Sequence, residues 1–164
     1  MTREYKITDE EHRWTTDFKI EWLGYGEWLE ELDRIDLEYE DYKAEVFRLP
    51  PTLTNEKLEE GGILSGYVSV PKSHPYYGNQ KKFQKIECHG GLNYNLVNQA
   101  FVDIHIIGFY CATIYDYFPS LKRWKEFRNQ GFVYRNMEFC IEECLNIIDQ
   151  LIEMENGEKK LFLP

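Results

Sequence analysis

The chain has 164 residues, 43% of them hydrophobic and 29% charged, with four cysteines and a formal net charge of -10. That length and apolar content suffice to bury a core without staples, and they exclude a disordered chain, a collagen-like repeat and a disulfide-dense miniprotein. The negative charge excludes a broad duplex-binding surface, whose affinity comes from many Lys and Arg neutralising phosphates. No apolar run reaches 18 residues, and the residues from Met1 lack the basic-then-apolar pattern of a leader. The expectation is one domain over residues 1–164, in the cytoplasm, with no membrane partner.

Charge is uneven along the chain. Residues 1–60 hold 18 acids against 8 bases, while 71–128 hold eight bases against four acids. The basic middle either keeps loops soluble or receives a small anionic ligand.

In chain order, Phe18, Ile20 and Trp22 alternate with Asp17, Lys19 and Glu21, which predicts a half-buried strand over 15–23. Gly24-Tyr25-Gly26 ends it. Trp28, Leu29, Leu32 and Ile35 fall at helical spacing within an acidic stretch, leaving a short helix and an acidic loop as alternatives. Residues 44–49 read as a strand stopped by Pro50-Pro51, which cannot donate to a ladder. Residues 52–60 read as a hinge or a helical turn capped by Thr54 or Asn55. A strand over 63–70 can pair antiparallel with 44–49. Pro71 to Gly78 form a rigid loop. Further strands are predicted over 86–94, bent at Gly90-Gly91, and over 101–110. From Asn136 the period becomes helical: Met137, Cys140, Ile141, Cys144, Leu145, Ile148, Leu151 and Ile152 share a face. Asn136 is the N-cap, Glu138 sits in the first turn, and Asn156-Gly157 ends the helix. The fold expected is α+β: a mainly antiparallel sheet with an amphipathic helix over 136–153 packed across it.

Three groups of residues carry a resemblance. They are Gly66-Tyr67-Val68 with Val70-Pro71, His74-Pro75 and Gly78; then His89-Gly90-Gly91-Leu92-Asn93-Tyr94; then Ile107-Gly108-Phe109 with Cys111-Ala112 and Asp116. In this order they resemble a family of small uncharacterised proteins encoded in bacteriophage genomes and prophages, over about residues 24–152. The resemblance implies a phage setting and host cytoplasm, and supplies no mechanism. The family pattern in the third group is Gly-Phe-Asp-Cys-Ala-His followed by Gly-Asp. Here Tyr110 stands at the Asp, Thr113 at the His and Tyr115 at the Gly before Asp116, so half of any Asp–His pair in that motif is missing.

His89 precedes two glycines whose N–H groups can cradle an anion; the plain alternative is a bend beside an edge histidine. His74, in a proline-stiffened loop beside Lys72, either contacts a ligand or covers a core edge. The four cysteines lack zinc-ligand spacing, and Cys140 and Cys144 lie one turn apart on the apolar helix face, so they read as core and no metal or cofactor is expected. A Cys111–His89 nucleophilic pair is an alternative that spacing does not orient. His105 can share a face with Asp103, and Asp33 and Asp116 are the acids best placed for ligand hydroxyls or a divalent ion, although two separated carboxylates are weak evidence for metal catalysis. Tyr76, Tyr77, Tyr94, Tyr110, Tyr115 and Tyr117 suit stacking on a planar ligand or anchoring an interface.

The expected site is one cleft holding Lys72, His74, His89, Gly90, Gly91, Tyr94, Tyr110 and Asp116. Two functions fit it. One is a phage binding protein that sequesters a nucleotide-like anion or inhibits a host protein. The other is a small hydrolase or nucleotide-processing enzyme using His89 with Asp116 or Cys111. The acidic first third facing a basic middle further predicts a homo-oligomer.

Overall fold

Glu40 and Asp41 are the two non-glycine residues with positive φ among the described residues, at 49° and 65°. Two such residues make the hairpin turn whose twist matches its flanking strands, here Arg34–Tyr39 (β2) and Tyr42–Arg48 (β3). The computed structural model describes residues 2–50, 52–54, 57–120 and 131–161, with Glu11, residues 52–54 and residues 57–60 described by backbone alone. Around that hairpin lies a six-stranded, wholly antiparallel sheet. It is completed by Lys6–His12 (β1), Leu64–Ser69 (β6), Tyr94–Asn98 (β7) and Ile104–Tyr110 (β8), in the order β1-β2-β3-β6-β8-β7. Thr52–Thr54 (β4) and Lys57–Glu60 (β5) form a separate two-stranded hairpin between β3 and β6. The helices are Thr16–Leu23 (α1) and Met137–Leu161 (α2). The fold is therefore the expected α+β type, and residues 44–49 and 63–70 pair antiparallel as read.

Helix α2 lies on β3 and β6. It buries Cys140, Ile141, Cys144, Leu145, Ile147, Ile148 and Leu151 against Ile35, Leu37, Val46, Leu64, Val68, Ile107 and Phe109. Both helical cysteines are core, as their spacing indicated. Asn136 caps the helix, its Oδ1 accepting the Phe139 N–H at 3.0 Å. Gly66 lets the helix come close, because a Cβ there would stand 2.5 Å from the Phe109 ring and 2.7 Å from Cys144 Sγ. Gly66→Ala should therefore cost about 1–3 kcal/mol in urea unfolding, the usual cost of overpacking a filled core. An unchanged midpoint would show that the helix can lift without loss.

Several predicted elements differ. Residues 15–23 are helix α1, not a strand. Thr15 Oγ1 accepts the Phe18 N–H at 3.3 Å, and Lys19 and Leu23, four apart, are the buried pair. Of the residues whose alternation suggested a strand, Phe18 and Trp22 instead lie one turn apart, and with Trp14 their rings meet in series at 5.2 and 5.7 Å along the helix. The 86–94 strand is absent: a 3-10 helix spans Gln80–Lys85, and Gly90 and Gly91 both have positive φ, so extended structure begins only at Tyr94. Residues 101–103 precede β8, where Asn98 Oδ1 accepts the Ala100 and Phe101 N–H groups and turns the chain. The acidic stretch is split into a 3-10 turn, Glu27–Glu30, and strand β2, which buries Ile35 and Leu37 at period two. Thr54 belongs to β4 rather than to a helical cap, while Asn55 and Pro51 lie outside the described residues. Asn156-Gly157 does not end α2. The helix continues to Leu161, tied by Tyr42 to Glu155 at 3.5 Å and by Tyr76 to Glu158 at 2.6 Å. Of the basic middle, residues 122–128 are outside the described residues, as are 162–164.

A second cluster packs beside the sheet's end, where Trp28 stacks on Tyr117 and meets Tyr134 edge-on. Under it runs a buried ionic network. Asp33 accepts from Arg48 Nε at 2.7 Å, from the Trp14 N–H at 2.7 Å and from Lys19 Nζ at 3.0 Å. Arg48 also donates to Glu31, the Tyr134 hydroxyl and the Gly62 carbonyl, and Glu31 in turn accepts the Met137 N–H at the start of α2. Asp33, proposed from sequence as a ligand contact, is thus fully engaged in holding the fold.

Candidate functional site

The loop that follows β8 is folded around Asp116. Its carboxylate is fully buried and receives three donors: the Thr113 N–H at 2.8 Å, Arg135 Nε at 2.9 Å and His89 Nε2 at 2.6 Å. Burial alone would push this carboxyl up, but the bonds from His89, Thr113 and Arg135 outweigh it and hold it below its ordinary value. An ionised carboxylate only accepts, so the proton of the shared bond resides on His89 Nε2. The ring's other nitrogen, Nδ1, meets no partner among the described residues.

Helix α2 supplies the rest. Phe139, in its first turn, packs edge-to-face with the His89 ring at 5.1 Å and lies under the Arg135 guanidinium at 4.8 Å. Glu143, one turn on, accepts the His89 backbone N–H at 2.8 Å. The His89 side chain is 14% exposed, so one edge of an otherwise enclosed ring reaches solvent. It does so in an open groove of about 630 Å³, lined by Arg3, Glu87, Cys88, His89, Phe139, Glu143, Asn146, Asp149, Gln150 and Glu153.

The residues expected to converge do so only in part. His89, Gly90, Thr113 and Asp116 come together, a Cβ on Gly90 standing 3.0 Å from the Thr113 methyl. Tyr110 adjoins them through its backbone, its N–H donating to Asn93 Oδ1 at 3.2 Å. Its ring, with that of Tyr94, meets Tyr67 on the sheet face turned away from α2. His74 is elsewhere. It is buried beneath α2 with Nδ1 accepting the Tyr76 N–H and Nε2 donating to the Leu151 carbonyl, so it is a packing histidine. Lys72 pairs with Asp103 at the surface, at 3.0 Å. His105 is also internal, bonded to the Gly78 N–H and Asn95, and burial followed by the nearby His74 lowers its pKa. It makes no pair with Asp103, which accepts from the Tyr77 hydroxyl instead.

Two chemical expectations are corrected by this geometry. The anion cradle at His89-Gly90-Gly91 is already used: the His89 N–H holds Glu143, and the Gly91 N–H donates to the Cys88 carbonyl at 2.9 Å. Cys111 is no nucleophile for His89. It is buried with Sγ 3.4 Å from Cys140 Sγ, and that contact, then burial, pushes its thiol far up. Arg135, Phe139 and Glu143 were missed as site residues. Glu143 falls within the motif-bearing region, but a single Arg before a helix cap and an aromatic in its first turn carry no sequence signal.

Among the described residues, no group of three or more His, Cys, Asp or Glu side chains is placed to hold a metal ion. No described helix is long and apolar enough to cross a membrane. Comparison with protein-family models, with curated proteins and with solved structures returned no match.

Proposed function

We propose that the chain is a small hydrolase in which His89, oriented by Asp116, is the general base. The observation that carries this reading is the 2.6 Å bond from His89 Nε2 to a buried, triply hydrogen-bonded carboxylate. Such a carboxylate fixes the imidazole tautomer and stabilises the imidazolium once it forms. In the proposed step, Nδ1 takes a proton from water as the water oxygen bonds to the carbonyl carbon of an ester or amide. Collapse of the tetrahedral adduct breaks the bond to the leaving oxygen or nitrogen, which receives that proton. The products are an acid and an alcohol or amine.

The groove disfavours the sequestration of a nucleotide-like anion. Glu87, Glu143, Asp149 and Glu153 face Arg3 as its one lysine or arginine, and clustered carboxylates repel phosphate. The phage resemblance is part of this reading, since His89 and Asp116 come from two of its motifs. The departures at Tyr110 and Thr113 do not touch the dyad: Thr113 serves through its backbone N–H, and the Tyr110 ring lies across the sheet.

The test is a panel of acyl esters, amides and linear and cyclic nucleotides, incubated with pure protein and resolved by chromatography. Conversion of an ester or amide that disappears in His89→Ala, with an unchanged circular dichroism spectrum, is the expected result. Recovery of every compound intact would overturn the reading.

A further inference from the structure

The turn that joins β7 to β8, residues 99–103, is exposed throughout and apolar at its centre. Phe101 is 94% exposed and Val102 57%, and Leu96 on the adjoining β7 is 39% exposed. The base of the turn is fixed. Asn98 Oδ1 accepts the Ala100 and Phe101 N–H groups, and Gln99 lies against Gly78, where a Cβ would stand 3.0 Å from its amide nitrogen. A single apolar residue on a surface needs no explanation, but an adjacent pair held out on a fixed turn does.

The same end of the molecule is cationic in a chain of net charge -10. Residues 61–102 hold four lysines and one acid, Glu87, which lines the groove beside His89 instead. Lys72 reaches Asp103, two residues past Phe101, at 3.0 Å, and the Tyr77 hydroxyl bonds the same carboxylate at 2.6 Å, so Asp103 adds no uncompensated charge. The 3-10 helix that carries Lys81, Lys82 and Lys85 is tied to β7 by two bonds between Gln80 and Asn95, at 2.6 and 3.0 Å. All three lysines are exposed, and none is in an ion pair among the described residues; Lys82 lies over the Tyr76 ring at 4.8 Å. Glu158 approaches through the Tyr76 hydroxyl, but Lys159 and Lys160 follow it on α2. The acidic strands β2 and β1 stand four and five strand spacings from β7, ~19–24 Å. That exceeds twice the Debye length of about 8 Å at physiological salt, so their charge is screened at the lysine end.

We infer that this end docks on an anionic lipid surface, with Phe101 and Val102 entering the head-group region and Lys81, Lys82 and Lys85 meeting the lipid anions. Residue types select this partner. Val102 and Leu96 offer no π-face to a nucleic-acid base, and a protruding tip cannot enclose a peptide. An apolar tip beside lysines, whose stems can lie along apolar surface while their heads stay in the polar layer, matches the graded polarity of a bilayer interface. Either signal alone binds weakly, and the two together give a stable, reversible contact. The expectation of no membrane partner rested on the lack of a spanning run, and docking at a surface requires none. The contact involves neither His89 nor its groove, so it stands apart from the hydrolase reading.

Sedimentation with vesicles tests it on the full chain at about 0.15 M salt. Vesicles of equal parts phosphatidylserine and phosphatidylcholine should carry the protein down, and vesicles of phosphatidylcholine alone should leave it in solution. Phe101→Ser should weaken binding about tenfold, the loss expected when a large apolar side chain no longer leaves water. Lys81→Gln, Lys82→Gln and Lys85→Gln combined should weaken it about a hundredfold, at roughly fivefold per lysine. These side chains are exposed, so the circular dichroism spectrum should be unchanged in every variant. Equal binding to both vesicle types, full binding by Phe101→Ser, or no binding to either vesicle would overturn the inference. A labelled oligothymidine is the competing probe. If the native chain bound it while ignoring vesicles, and the triple lysine variant did not, the surface would belong to single-stranded nucleic acid and the inference would fall.

Discussion

Asp33→Asn should destabilise the protein by about 3–5 kcal/mol at neutral pH, the usual cost of breaking a buried ion pair from one side. The side chains of Asp33, Arg48 and Lys19 are at most 2% exposed, so neither cation left behind can turn to water. Stability of a domain this size is on the order of 5–15 kcal/mol, so the variant should unfold at a markedly lower urea concentration. Burial already lowers the Lys19 pKa, against the opposing pull of its bond to Asp33. Without Asp33 it falls further, below that of the unfolded chain. The unfolded state then binds the extra proton, and variant stability should rise as pH is raised toward the ordinary lysine range. Asp36→Asn is the control, because Asp36 pairs with Arg34 at the surface, where such bridges contribute about 0–1 kcal/mol. Equal losses from the two substitutions would mean that the network contributes no more than a surface pair.

Asp116→Asn should lower turnover of the substrate found by the panel by about 10³–10⁴-fold, the size expected when a general base is held in the wrong tautomer. An asparagine amide donates to His89 Nε2 where the carboxylate accepts. The ring proton then moves to Nδ1, and the base is lost while the ring stays in place. The substitution should also alter acid stability, with a definite sign. The Asp116 carboxyl is held below its ordinary value in the folded state, so its contribution is fully present above the ordinary carboxylate range of about 4. It is lost as pH falls through the lower folded value. Melting temperatures of native and variant should therefore differ most above the ordinary carboxylate range and draw together as the pH falls below it. A gap that widened on acidification would contradict the bonding described for Asp116.

Sequence patterns revealed elements wherever one residue class dominated a face. The α2 stripe, the isoleucine-rich β8 and the pairing of β3 with β6 were legible for that reason. Strand β1 was not, because KITDEEH is an edge strand that buries little, and its partner β2 sits in an acidic run whose Ile35 and Leu37 also fit a helix. Helix α1 was misread because Phe18, Ile20 and Trp22 alternate with polar residues, while one of the two residues it buries, Lys19 beside Leu23, is a lysine that gives no apolar helical period. The site was half legible. His89, Gly90 and Asp116 stood in motifs, whereas Arg135, Phe139 and Glu143 reach them only because α2 docks its first turns there. Lys72 and His74 share the Pro71 loop, but the core takes one and the surface the other.

That arrangement has a consequence for synthesis. Every strand of the sheet lies before residue 111, and α2 begins at Met137. At translation rates of about 5–20 residues per second, the sheet is complete for roughly 1–5 s before the helix begins to appear. During that interval Leu37, Val46, Leu64, Val68 and Phe109 have no helix to cover them. A chain ending at residue 120, held on the ribosome by an unstructured extension long enough to clear the exit tunnel, should therefore bind a hydrophobic dye or a chaperone strongly. It should also be inert, because Arg135, Phe139 and Glu143 have yet to be added to His89 and Asp116. On the proposed reading of His89 and Asp116, hydrolytic activity would then appear only after α2 docks, and its onset during translation would time that docking.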